Sequence, residues 1–125
     1  MGNTKSLPSE DVIVRNDVEI SIIVWLDADI NKKVENQKAQ QQLRAIVNHL
    51  KTFEDGNQCE KYIRSISSKE RLLLIVNDQQ GREIVPHIHT LRQVISIYVY
   101  CKDKKGNEQW INQFSKVKQI FSMLL

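Results

Sequence analysis

RLLLIVND, residues 71–78, is the stretch that decides how this chain folds. Five consecutive apolar residues in it are bounded by Arg71 on one side and by Asn77 and Asp78 on the other. This pattern is typical of a strand buried on both faces, because neither face meets water. ISIIVWL at 20–26 and VISIYVY at 94–100 repeat the pattern. The chain therefore contains three core strands of a sheet whose two faces are covered.

The segments between these strands have the spacing of amphipathic helices. Apolar residues recur at i, i+3, i+4 and i+7 in four sets: Leu43, Ile46, Val47, Leu50; Cys59, Tyr62, Ile63, Ile66; Ile84, Val85, Ile88, Leu91; and Trp110, Ile111, Phe114, Val117. The polar start of the first helix should project into solvent, and DGN at 55–57 should form a turn and cap before the second. Since Pro86 is tolerated in a first turn, the third helix is expected to begin near Glu83.

Strands and helices that alternate in this way build a parallel sheet. The ending KQIFSMLL could continue the last helix, but we favour a fifth strand that begins near Gln119. The predicted fold class is α/β, a small doubly wound, mostly parallel flavodoxin-like sheet of four to five strands with helices on both faces. Residues 19–125 form one domain behind an N-terminal arm, 1–18. If the chain ends at Leu125, the last helix of this fold should be missing, which would leave a flank for a partner or an adjoining domain.

Composition excludes several classes of function. With 125 residues, of which 41% are hydrophobic, the chain supports one core. Its 18 basic and 15 acidic residues are interspersed, unlike the clustered basic footprint of a nucleic-acid-binding domain. Cys59 and Cys101 have no zinc or dithiol spacing. The longest apolar run is too short to span a bilayer, and there is no secretory signal, so we expect a cytoplasmic protein.

The opening residues, MGNTKS, fit the signal for N-myristoylation. The acyl chain would be attached to Gly2 after removal of Met1, and Ser6 is the favoured residue at its position. One myristoyl chain gives only marginal, reversible membrane binding. The expectation is therefore a protein at the periphery of a membrane, in transient contact with it.

Acidic residues follow two of the predicted strands. In a doubly wound sheet, ligands bind beyond the carboxyl ends of the strands, where the strand order reverses. In the order 2-1-3-4-5, that rule selects Asp27 and Asp29 after the first strand and Asp78 after the third. Carboxylates that converge can hold Mg²⁺. An alternative is that Asp27 or Asp29 caps the first helix and Asp78 shapes the loop before the third.

This acidic pocket resembles that of phosphoacceptor receiver domains, with Asp78 in the position of the aspartyl nucleophile. Two features of this chain differ from the receiver pattern. A receiver has Ser or Thr at the end of the fourth strand, where this chain has Tyr100 and Cys101, and a Lys at the end of the fifth, where FSMLL has none.

VWLDADIN at 24–31 and EKYIRSISSKERLLLIVNDQQGREIVPHIHTLRQVISIYVYC at 60–101 carry a second resemblance. From about Glu19 onward, the chain resembles the small α/β domain near the N-terminus of large invertebrate proteins. There it precedes an arginine-specific mono-ADP-ribosyltransferase domain, tetratricopeptide repeats, or both. The resemblance implies an accessory or regulatory domain, not the transferase, whose catalytic domain is absent from these 125 residues.

Two functions follow as hypotheses. The first is a non-catalytic intracellular interaction or regulatory module, which uses no cofactor and contacts a protein partner or an adjoining domain. The alternative is a receiver-like, Mg²⁺-dependent phosphoacceptor switch that uses Asp27, Asp29 and Asp78.

Overall fold

The computed structural model describes residues 20–47 and 49–120. Five strands alternate with four helices: β1 (Ile22–Leu26), α1 (Val34–Ile46), β2 (Leu50–Phe53), α2 (Gly56–Ser65), β3 (Leu72–Asn77), α3 (Asp78–Ile88), β4 (Val94–Tyr100), α4 (Lys104–Ile111) and β5 (Val117–Ile120). All strand pairs are parallel, in the order β2-β1-β3-β4-β5. The predicted flavodoxin-like fold is confirmed. The predicted arm, 1–18, with its predicted acylation signal, and the place where a last helix would follow β5 lie outside the described residues.

Two apolar clusters lie on opposite faces of the sheet. The larger joins the strands to α2, α3 and α4, through side chains such as Cys59, Ile84 and Ile111. The smaller contains Trp25 and joins the other face to α1 through Ala39. Alternate residues of β1 and β3 point to opposite clusters, which explains their unbroken apolar sequence. Within the described ranges, no helix has the length and apolarity needed to cross a membrane.

The first helix ends earlier than its apolar spacing predicts. α1 stops at Ile46, Val47 is extended, and Leu50 opens β2, where it pairs with Ile23 of β1. Leu50, the i+7 residue of the first predicted helical set, therefore belongs to a strand. Ile46 is 37% exposed, and the residues that α1 buries are Asn36 and Ala39. Leu43 and Val47 of the predicted set do pack on the smaller cluster, but the contact of the helix with the sheet extends further toward its N-terminus than predicted.

α3 and α4 both begin before the predicted positions. The side chain of Asn77 accepts a hydrogen bond from the Gln80 N–H, so α3 starts at Asp78 instead of Glu83 and Pro86 lies well inside the helix. Asp103 accepts from the Gly106 N–H and starts α4 at Lys104, ahead of the predicted apolar set that begins at Trp110. In both cases the capping side chain satisfies an N–H that the helix leaves unpaired, and this fixes the start.

Gly81 lets α3 and α4 approach each other closely. A Cβ there would lie 3.2 Å from Cη2 of Trp110 and 3.3 Å from Cγ1 of Val76. Gly81→Leu should therefore lower the free energy of unfolding by about 1–3 kcal/mol through overpacking. Gly56→Leu is the matched control, because a Cβ at Gly56 meets nothing within 4 Å, and it should be neutral or slightly stabilising. Urea denaturation of both variants tests the contrast, which equal destabilisation would refute.

Candidate functional site

A cleft of about 540 Å³ opens at the carboxyl ends of β1, β3 and β4. It lies where the strand order reverses, because β2 is on one side of β1 and β3 is on the other. The cleft is lined by Asp27, Ala28, Asp29, Lys33, Asn77, Asp78, Gln79, Gln80, Tyr100, Cys101, Lys102 and Asp103. All three aspartates predicted from the sequence therefore border one cleft.

Each of these aspartates is engaged by the protein itself. Asp27, only 8% exposed, accepts hydrogen bonds from the Tyr100 hydroxyl and, at 2.8 Å, from the Asp29 N–H. Asp29 lies 3.7 Å from the Lys33 ammonium, and Asp78 accepts a hydrogen bond from Asn107 at 3.2 Å. Among the described residues, no group of three His, Cys, Asp or Glu side chains is placed to hold a metal ion. The predicted Mg²⁺ ligands share a cleft without forming a three-carboxylate site.

The capping roles considered for these aspartates are not observed. The N-cap of α1 is Lys33, which makes no side-chain capping hydrogen bond. Asp27 instead closes a turn with the Asp29 N–H, and Asp78 follows the Asn77 cap within the first turn of α3. A carboxylate in that turn is favoured by the positive end of the helix dipole.

The register of the sheet shows where the residues of the predicted receiver-like pocket lie. Leu26 pairs with Val76, which places Asn77 level with Asp27 at the end of β3. Asn77 ends that strand with an amide, and Asp78 lies one residue further on, in the helix. Tyr100 occupies the end of β4 and directs its hydroxyl to Asp27.

Tyr100 acts as a neutral hydrogen-bond donor. Burial, and then the hydrogen bond to Asp27, raise its pKa far above the usual range, whereas the hydrogen bond from Trp25 works in the opposite direction. The Trp25 indole N–H donates to the Tyr100 hydroxyl at 3.0 Å. The resulting chain of donors runs from Trp25 through Tyr100 to Asp27 and keeps the buried carboxylate satisfied.

Neutral amides hold the segment that carries Asp27 and Asp29. Side chains of α1 donate to three successive carbonyls of that segment: Asn36 to Asp29 at 3.1 Å, Gln40 to Ile30 at 2.9 Å and Gln37 to Asn31 at 2.9 Å. The polar start of α1, predicted to project into solvent, therefore fixes the acidic edge of the cleft. The run NQKAQQQ at 36–42 is the signal in the sequence, but its partners become evident only from the fold.

Asn107, which sequence reasoning did not select, supports the other side of the cleft. It is 2% exposed and donates to Asp78 and, at 2.7 Å, to the Asp103 carbonyl. Its oxygen accepts from Arg82 at 3.0 Å and from the Trp110 indole at 2.8 Å. One side chain thus joins α3 to the start of α4.

The buried thiol of Cys59 provides a prediction about pH. Burial, with smaller contributions from the charges of Glu60 and Asp55, raises the pKa of Cys59 to about 12. An unfolded thiol titrates near 8.5, so the folded state holds its proton more tightly, and stability should fall as pH rises above about 8.5. At pH 10 the wild type should lose about 1–2 kcal/mol more than Cys59→Ala, relative to pH 7. Urea denaturation at both pH values measures the difference, and equal losses would contradict it.

Comparison with protein-family models, with curated proteins and with solved structures found no match.

Proposed function

We propose that this chain is a non-catalytic interaction module whose protein partner contacts the cleft at the carboxyl edge of the sheet. The observation that carries the proposal is the engagement of all three predicted aspartates by groups of the protein. Carboxylates held in this way shape a surface, because the hydrogen bonds of Asp27 and Asp78 and the ion pair of Asp29 with Lys33 are formed before anything binds. A preorganised surface favours recognition, since little order has to be imposed on binding.

Two buried groups with a raised pKa, the Tyr100 hydroxyl and the Cys59 thiol, support a non-catalytic role. Burial and Asp27 keep the Tyr100 hydroxyl protonated, so it cannot serve as a base near neutral pH. Burial likewise keeps Cys59 in its thiol form, whereas a nucleophilic cysteine needs a lowered pKa. Both residues fit a structural role better than a chemical one.

The proposal is tested by crosslinking from the cleft. Gln79 is exposed on the cleft wall, and Lys69 is exposed in the turn that precedes β3. A photoreactive residue at Gln79, in the full chain expressed in its native cells, should crosslink one discrete protein, and the same residue at Lys69 should not. Lys102→Glu, which reverses a charge at the cleft, should weaken the Gln79 crosslink severalfold. Equal crosslinking from the two positions, or none from Gln79, would contradict the proposal.

A Mg²⁺-dependent phosphoacceptor switch is the second candidate. It is favoured by the presence of Asp27, Asp29 and Asp78 around one cleft that Lys33 and Lys102 also border. Its test is incubation with acetyl phosphate and Mg²⁺, followed by intact mass. A switch would gain one phosphoryl group on the Asp78 carboxylate, with release of acetate, and Asp78→Asn would abolish the gain. An unchanged mass would dismiss this candidate.

We also propose that the module acts inside the cell. The resemblance to domains that precede mono-ADP-ribosyltransferase domains implies that it is an accessory or regulatory domain. Acylation of Gly2 would add transient membrane contact. The intact mass of protein from eukaryotic cells, compared with Gly2→Ala, tests the acylation. The wild type should carry one myristoyl group and the variant none, and a Met-free, unmodified wild type would refute the membrane contact.

A further inference from the structure

The side-chain amide of Gln80, which lines the cleft, joins the carboxyl ends of β1, β2 and β3. Its Oε1 accepts hydrogen bonds from the Ala28 N–H at 2.8 Å and from Nδ2 of Asn77 at 2.7 Å. Its Nε2 donates to the Glu54 carbonyl at 3.1 Å. Ala28 follows β1, Glu54 follows β2 and Asn77 ends β3, so one residue of α3 connects all three segments.

Gln80 and the amides of α1 attach segment 28–31 to different helices. Asn36, Gln37 and Gln40 attach segment 28–31 to α1, the helix that follows it in the chain. Gln80 attaches the same segment, through Ala28, to α3, whose first residues line the opposite wall of the cleft. The distance between the Asp29 wall and the Asp78 wall thus depends on this side chain.

We propose that Gln80 is the positioning residue of the cleft, and that it fixes the acidic segment 27–31 and the β2–α2 turn against the start of α3. This inference rests on the proposed function in so far as it concerns the partner. Gln80 acts through the backbone of Ala28 and Glu54, which its amide holds in place. A side chain with only an acceptor, or with neither group, cannot make the same three hydrogen bonds.

Amide hydrogen exchange of the full chain tests the positioning role directly. Gln80→Leu should raise the exchange rate of the Ala28 N–H about tenfold, while the amides of Val24 and Leu74 in the core strands exchange as in the wild type. Gln109→Leu is the control, because it makes the same chemical change on the exposed face of α4. An unchanged Ala28 rate, or a uniform rise across the core, would overturn the proposal.

Gln80→Glu separates the two functions of the amide. Its carboxylate can still accept from Ala28 but cannot donate to Glu54, so the Ala28 amide should stay protected while the Asp55 amide resonance shifts. This variant keeps the proposal falsifiable if Gln80→Leu does not fold. Loss of Ala28 protection in Gln80→Glu would contradict the acceptor role.

Crosslinking from Gln79 then connects Gln80 to the partner. With Gln80→Leu, the crosslink should fall at least severalfold, and with Gln109→Leu it should persist. A crosslink that persists in Gln80→Leu despite faster Ala28 exchange would overturn the positioning role and leave the proposed function in place. A wild type without any crosslink would instead refute the proposed function.

Discussion

Trp25→Ala should lower the free energy of unfolding by about 3–5 kcal/mol, the range for removing a large aromatic side chain from a core. Trp25 is fully buried in the smaller cluster, between β1 and α1. Its ring meets that of Tyr100 edge to face, with 6.3 Å between the ring centroids. A domain of this size has a total stability of about 5–15 kcal/mol, so the loss is a large share of it. It should lower Tm by about 10–20 °C. Chemical and thermal denaturation measure it.

Trp25→Phe is the matched variant, since it keeps an aromatic ring and removes the indole N–H. It should cost about 1–2 kcal/mol, because less volume is lost and the Tyr100 hydroxyl loses one donor. A Trp25→Ala chain within 1 kcal/mol of the wild type would show that the smaller cluster contributes little to the fold.

Asn107→Leu should cost about 2–4 kcal/mol, the largest effect we expect from a single polar residue here. The substitution keeps the side chain's approximate size but removes the oxygen that accepts from the Trp110 indole and from Arg82. Asn107 is almost fully buried and the Trp110 indole is partly buried, so water replaces these hydrogen bonds only in part, whereas the exposed Arg82 still donates to the Gly106 carbonyl. The cleft should also change, because Asp78 loses its hydrogen bond from Asn107.

Urea denaturation of Asn107→Leu measures the loss, and Asn57→Leu, at an exposed position of α2, is its control. The control should stay within about 0.5 kcal/mol of the wild type. In Asn107→Leu, the indole resonance of Trp110 should shift to the position of an unpaired N–H. A variant as stable as its control would mean that the four hydrogen bonds of Asn107 contribute nothing net.

The core strands were predictable because burial on both faces removes polar residues from a strand altogether. β1 and β3 have that composition, whereas the predicted sheet order rested on analogy with the flavodoxin-like fold. β2 does not, since Lys51 is exposed within its four residues, and its first residue, Leu50, fits a helical stripe equally well. The starts of α3 and α4 were missed because Asn77 and Asp103 act as caps, and Pro86 suggested a first turn.

The place of the site was predictable from topology, but its supporting residues were not. Asp27, Asp29 and Asp78 end or follow strands, so the fold brings them to one edge. Asn107 and Gln80 matter because of partners 25 to 52 residues away in sequence, at Arg82 and Ala28. Such pairs have no periodicity and no local spacing, and only the packed structure reveals them.

The central claim is that the carboxylates of the cleft are held by the protein and serve recognition. It is tested most directly by titrating the amide spectrum of the chain with Mg²⁺, with and without beryllofluoride as a phosphoryl mimic. We predict no saturable shifts at Asp27, Asp29, Asp78 or their neighbours in either titration. Saturable shifts confined to those residues, and enhanced by beryllofluoride, would contradict the claim and establish the phosphoacceptor switch instead.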